Sequence, residues 1–193
     1  RLSSVVDALL VAAKLEAEGM SLSRRDVDVF GLAREAVQSA EATAAEEGTT
    51  LSLEGAPEFV RADPARIAQV LDNLLTNALK FAKGGHVTVQ VRRHGDEVEV
   101  MVSDDGMGID PKRLGDVGQP FIQVHDVQAV GVKGTGLGLY ICKAIAKLHQ
   151  GRLDVSSAGL GKGTVVRLRL PCERKGGEGE KGDGGDPIGE TAV

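Results

Sequence analysis

Four strand-like segments arrive in two pairs, each joined by a short turn that contains glycine. His86 to Arg93 and Glu97 to Val102 flank His94-Gly95-Asp96, while Arg152 to Ser156 and Thr164 to Leu170 flank the stretch AGLGKG. Strands delivered as hairpins pair antiparallel. A doubly wound parallel sheet needs a crossover helix between successive strands, so this pattern excludes it. The helical segments lie between and before the hairpins, which makes a two-layer α/β sandwich with a mixed sheet the expected class.

The rest of the chain fits around that frame. Residues 1 to 18 place Leu2, Val5, Val6, Leu9, Leu10, Ala13 and Ala17 at helical spacing, and Gly19 stops the run. A second amphipathic segment runs from about Gly31 to Glu47, and TTLSLEG then alternates like a strand. Asp63-Pro64 supplies an N-cap and a first-turn proline for a third helix, which reaches about Lys83 before Gly84-Gly85. A last helix is expected from about Gly136 to His149. Between Asp104 and Gly134 the periodicity dissolves into glycines and short polar runs, too long for an ordinary connection. Beyond Pro171 the chain is rich in glycine and charge and poor in large apolar side chains, so a disordered tail is expected over 173–193.

Composition narrows the function classes. With 26 glycines, four Phe, one Tyr and no Trp, the core must come from Leu, Val, Ile and Ala, and aromatic platforms for stacked bases are scarce. A net charge of -5 argues against a nucleic-acid surface. The apolar run Val5 to Ala13 is broken by Asp7 and falls short of the roughly 18 residues a membrane span needs, so no membrane contact is expected. Cys142 and Cys172 form neither a zinc pattern nor a disulfide framework, which fits a reducing, cytoplasmic setting. The chain opens at Arg1 without a signal-peptide layout and reads as part of something longer.

Three constellations carry chemistry. In RIAQVLDNLLTNALKFA, Ile67, Val70, Leu71, Leu74, Leu75 and Ala78 share one face at about 100° per residue, and Asn73, Asn77 and Lys80 are expected on the opposite stripe. A solvated face is the plain alternative, but such faces favour Glu, Lys and Arg, whereas Asn is a poor mid-helix residue. The second constellation is Ser103-Asp104-Asp105-Gly106-Met107-Gly108-Ile109, a carboxylate at a strand end followed by alternating glycines. It suits a fixed acceptor beside a closely approachable backbone, with a simple turn as the alternative. The third, Gly134-Thr135-Gly136-Leu137-Gly138-Leu139, leads directly into a helix, where exposed N–H groups and the dipole suit a phosphate. It is neither a Walker A loop nor a dinucleotide fingerprint. A glycine-rich helix entrance without a ligand stays open.

In this order the three elements resemble the nucleotide pocket of the Bergerat-type ATPase superfamily, which includes histidine kinases, DNA gyrase, the heat-shock chaperone and mismatch-repair ATPases. NLLTNALKF looks like the N box, DDGMGI the G1 box, QPFIQV the F box and GTGLGL the G2 box. The form of these boxes is that of the catalytic and ATP-binding domain of sensor histidine kinases. The resemblance implies the Bergerat fold, with a mostly antiparallel mixed sheet covered on one face by helices, over residues 21–172. It also implies that residues 1–20 are the second helix of a dimerisation hairpin.

The implied cofactors are ATP and Mg²⁺. Asn77 and Asn73 would hold the metal, Lys80 would contact phosphate, and these three would be the catalytic residues. Asp104 would accept the adenine amino group, Gly108 would let the ring approach, and Thr164 would hold a water between them. The backbone of Gly134, Thr135, Gly136, Leu137 and Gly138 would cradle the phosphates, residues 116–133 would form a lid, and Gly106, Ile109, Phe121, Lys133 and Leu139 complete the binding set.

Where gyrase-like and chaperone-like relatives have a water-activating glutamate this chain has Asn73, which cannot take a proton, so a protein acceptor for the γ-phosphoryl is implied. A true ATPase and a regulatory nucleotide-binding module are the competing readings. Two positions depart from the kinase pattern. Gln123 stands where an F-box cation is usual, and none of His86, His94, His125 and His149 has the context of the phosphoacceptor, which is expected upstream. The implied partners are a dimerisation and phosphoacceptor domain of the same protein, a response-regulator receiver domain, and a second copy of the parent in a homodimer. His149 itself reads as a helix C-terminal residue favoured by the dipole.

Overall fold

A computed structural model describes residues 22–124 and 135–172. The expected helix over 1–18, the tail over 173–193, and Lys133, Gly134 and His125 lie outside the described residues. The element order is β1 (Arg25–Asp28), α1 (Val29–Glu46), β2 (Thr50–Gly55), β3 (Phe59–Ala62), α2 (Pro64–Phe81), β4 (His86–His94), β5 (Glu97–Asp104), a 3₁₀ helix (Pro111–Asp116), α3 (Gly138–Leu148), β6 (Arg152–Ser156) and β7 (Thr164–Pro171). Both hairpins form. The main sheet runs β2-β4-β5-β7-β6, parallel between β2 and β4 and antiparallel elsewhere.

The period-2 pattern decides which face is buried. Val87, Val89 and Val91 of β4, Val98, Val100 and Val102 of β5, Leu168 and Leu170 of β7 and Leu153 of β6 all point into one core. The other face carries cross-strand ion pairs, among them Arg169 to Glu99 at 2.7 Å and Arg169 to Asp154 at 3.5 Å. The three helices cover the valine face, with α2 packed between α1 and α3. A second, two-stranded sheet of β1 and β3 was not expected from the alternation; it pairs Val27 with Val60 antiparallel.

Helix α2 begins where its sequence says. The Asp63 carboxylate accepts from the N–H groups of Ala65 and Arg66 at 3.1 and 3.3 Å, with Pro64 in the first turn. Ile67, Val70, Leu71, Leu74, Leu75, Ala78 and Leu79 are buried. At about 1.5–3 kcal/mol for each large side chain, this face outweighs the few tenths that each mid-helix Asn costs. The helix can therefore carry Asn73 and Asn77 without losing its place.

The position of that polar stripe differs from the expectation. Asn73, Asn77 and Lys80 are half-buried, whereas Ala65 and Asp72 are exposed on the outward side of α2. Their stripe is a flank of the helix, not the side opposite the core. At about 100° per residue the stripe falls roughly 120° from the centre of the apolar face, with Asn77 next to Val70, so helix geometry itself puts it on the flank.

Candidate functional site

The flank of α2 forms one wall of a cavity of about 310 Å³. Asn73, Asn77 and Lys80 line it from α2, Asp104 from the end of β5, and Thr164 from the start of β7. Residues Val117, Gly118 and Ile122 to Val124 form a loop wall, and Thr135, Gly136, Gly138 and Leu139 enter from the start of α3. Much of the remaining lining is apolar, including Ala78, Val102, Ile109 and Val166. The cavity thus joins an apolar slot to a few polar groups, the usual make-up of a small-molecule site.

The start of α3 meets the two asparagines. A Cβ on Gly138 would stand 3.5 Å from Asn73 Oδ1 and 3.8 Å from Asn77 Nδ2. Helices α1 and α2 are capped by Asp28 and Asp63, but α3 starts without a side-chain cap. Its first-turn N–H groups, with the positive end of the dipole, therefore face the same space as the asparagine amides. Asn73 also bonds the buried Cys142 thiol, whose pKa is pushed up to about 12 by burial, with the Asn73 bond acting against that rise. Burial draws the Lys80 ammonium below its ordinary pKa. An anion beside it would offset that penalty.

Asp104 is fixed by the backbone. Its Oδ1 accepts from Gly106 N at 3.0 Å and from Thr164 N at 3.2 Å. Burial raises its pKa, and those two N–H donors oppose the rise. Asp104 and Thr164 are direct cross-strand partners, which is why two residues sixty positions apart share one corner. The neighbouring Asp105 turns away to His86, accepting its N–H at 2.7 Å and pairing with its ring at 2.8 Å.

The glycines of this region divide by what occupies the space of their missing side chains. A Cβ on Gly106 would lie 2.2 Å from the Phe81 carbonyl, and one on Gly108, at φ +63°, 2.0 Å from the Gly159 carbonyl. The clearance at Gly108 is thus taken up by the protein's own turn, stitched by Gly161 N to Met107 O at 2.6 Å and Gly163 N to Gly106 O at 3.1 Å. Gly136, at φ +72°, abuts the backbone of Phe121 and Ile122. Only Gly138, of these four, gives its clearance to the asparagines.

The structure brings Asn73, Asn77, Lys80, Asp104, Ile109, Thr135, Gly136, Gly138, Leu139 and Thr164 to one cavity. Gly106 and Gly108 do not line it; the space of their missing side chains is filled by the Phe81 and Gly159 carbonyls. The Leu137 side chain lies in the core, and the Phe121 side chain is exposed at φ 64°. Sequence reasoning missed Val102, Val155 and Val166, because an inward valine that faces a cavity has the same period as one that faces a helix.

A family model described as histidine kinase-, DNA gyrase B-, and HSP90-like ATPase matches residues 62–174. The chain belongs to this ATPase family. Among sequence relatives of this family member, a sensor-like histidine kinase of Rhizobium meliloti is 36% identical over 182 residues, covering 91% of this chain and 34% of that protein. The histidine protein kinase DivJ of Caulobacter vibrioides is 37% identical over 178 residues, covering 88% of this chain and 29% of DivJ. The chain therefore spans about a third of the length of the curated relatives it matches. Full-length ShkA, solved in complex with AMPPNP, superposes with a TM-score of 0.77 at 29% identity, covering 88% of this chain and 35% of ShkA. The expected fold class is thereby met, with the two-stranded β1–β3 sheet as an addition.

Proposed function

We propose that this domain binds Mg·ATP in the α2–α3 cavity and passes the γ-phosphoryl group to a histidine of the parent sensor kinase. The observation that carries the reading is the meeting of Asn73, Asn77 and the uncapped start of α3 at one end of the lining, with the backbone-fixed Asp104 in the same cavity. A solved relative that holds AMPPNP supports it.

The donor set fits magnesium held together with phosphate. The asparagines offer hard, neutral amide oxygens, and no group of three His, Cys, Asp or Glu among the described residues forms a cage of its own. Asn77 would be the main protein ligand, with Asn73 beside it. An ion held there would supply positive charge that offsets the charge of the phosphates. Lys80 and the α3 N–H groups hold the phosphate oxygens, and Asp104 accepts the adenine amino group on the oxygen that the Gly106 and Thr164 N–H groups leave to it. The β,γ-bridging P–O bond breaks as the new P–N bond to imidazole forms, and ADP leaves.

Asp104 is the one carboxylate among the described lining residues, and it is tied to two backbone N–H groups. Among the described residues the asparagine end therefore has no general base for water, which disfavours the dedicated-ATPase reading. In the parent, this domain would work in the cytoplasm on a dimerisation hairpin, within a homodimer that serves a response-regulator receiver domain.

Calorimetric titration with Mg·ATP tests the site. Asn77→Ala and Asp104→Ala should each weaken binding by about tenfold or more, the loss of a charge-assisted or metal contact. Unchanged affinity in both variants would place the nucleotide elsewhere.

A further inference from the structure

The loop wall of the cavity is held by two cations that do not themselves line it. From the middle of α3, Lys143 Nζ donates to the Val117 carbonyl at 2.5 Å. From the 3₁₀ helix, Arg113 donates through Nε to Asp116 Oδ2 at 3.0 Å and through its terminal nitrogen to the Gln123 carbonyl at 3.1 Å. Val117 and Gln123 stand at either side of the wall, and both line the cavity. The chain makes room for one of these contacts: at Gly118, φ +77°, a Cβ would stand 2.8 Å from Lys143 Cε and Nζ. On the other side, Gly136 lets the Phe121 and Ile122 backbone close onto the start of α3.

We infer that Lys143 and Arg113 are positioning residues that clasp the 117–124 wall against α3 and so set the shape of the nucleotide cavity. The inference rests on the nucleotide reading of that cavity. A lysine ammonium given to a main-chain carbonyl, not to a carboxylate, contributes little to the core, since the helix around it is already fixed by Ile141, Cys142, Ile145 and Ala146. What the contact does fix is the distance between α3 and the wall. Because the wall meets the nucleotide as a surface, the effect should not depend on how many phosphates the nucleotide carries. A lysine that touched the γ-phosphate itself would act differently, favouring the triphosphate.

The test is calorimetric titration of the wild type, Lys143→Met, Lys143→Arg and Arg113→Met with Mg·ATP and with Mg·ADP, alongside melting without nucleotide. Lys143→Met keeps the apolar stem and removes the donor. It should weaken both nucleotides by a similar factor, about tenfold for a lost charged hydrogen bond, with a melting temperature within about 2 °C of wild type. Lys143→Arg should recover most of the loss. Arg113→Met should weaken both nucleotides by a smaller, equal factor, and it keeps the test open if Lys143→Met does not fold. Wild-type affinity for both nucleotides in either Met variant that folds, or a loss confined to ATP, overturns the clasp. A wild type that binds neither nucleotide instead overturns the reading of the cavity, and the two failures are distinct.

Discussion

At the scale of single residues, the site depends on where side chains are absent as much as on where they are present. Gly108 shows this most sharply: at φ +63°, a Cβ there would meet the Gly159 carbonyl at 2.0 Å. Backbone cannot yield as a flexible side chain does. Gly108→Ala should therefore cost about 3 kcal/mol or more, seen as a lower denaturant midpoint, whereas a loss below about 1 kcal/mol would mean the turn relaxes freely. Residue types were legible in the sequence, and Asn73, Asn77, Lys80 and Asp104 all line the one cavity. The direction of the Gly108 clearance was not, because only the folded turn at Gly159 to Gly163 shows what fills it.

At the scale of elements, the ends of α2 and α3 are joined by a histidine. His149 is 4% exposed; its Nδ1 bonds the Ile145 carbonyl at 2.8 Å, and its Nε2 accepts from Asp63 N at 3.0 Å. That pair of partners fits only the neutral ring with the proton on Nδ1. The dipole expectation for a charged C-terminal histidine is thus corrected, since burial lowers its pKa. Arg24, which donates to the Leu148 carbonyl at 2.6 Å, disfavours the charged ring, and Asp63 favours it.

The sign of the linkage follows. Above the unfolded histidine value, about 6.5, both states are neutral and the contribution is complete. Below it the unfolded chain takes up the proton first, and stability falls until the lower folded pKa is passed. Melting curves between pH 7.5 and 5.5 should show wild type losing more stability than His149→Gln; parallel curves would rule out this role. The latch was illegible in sequence because its partners are 86 residues apart. So was β3, four residues between Pro57 and Asp63, too short to show a period.

At the scale of the whole molecule, the two hairpins and three described helices were legible because alternation and capping are local. The order β2-β4-β5-β7-β6 was not, since a parallel β2–β4 pair leaves no local mark. The same limit applies to the wall, whose clasps from Lys143 and Arg113 connect elements that the sequence keeps apart. What the fold does is bring an amide-bearing helix flank, a carboxylate at a strand end and an uncapped helix start around one cavity, in which Asp104 is the one carboxylate among the described lining residues.

Phosphoryl transfer from γ-labelled ATP in the full-length protein that carries this domain tests that arrangement at its chemistry. Acid-labile, base-stable label should appear on a histidine and be lost in both Asn77→Ala and Asp104→Ala, with little free phosphate released. Rapid steady release of phosphate without labelled histidine, or label that survives both substitutions, would contradict it.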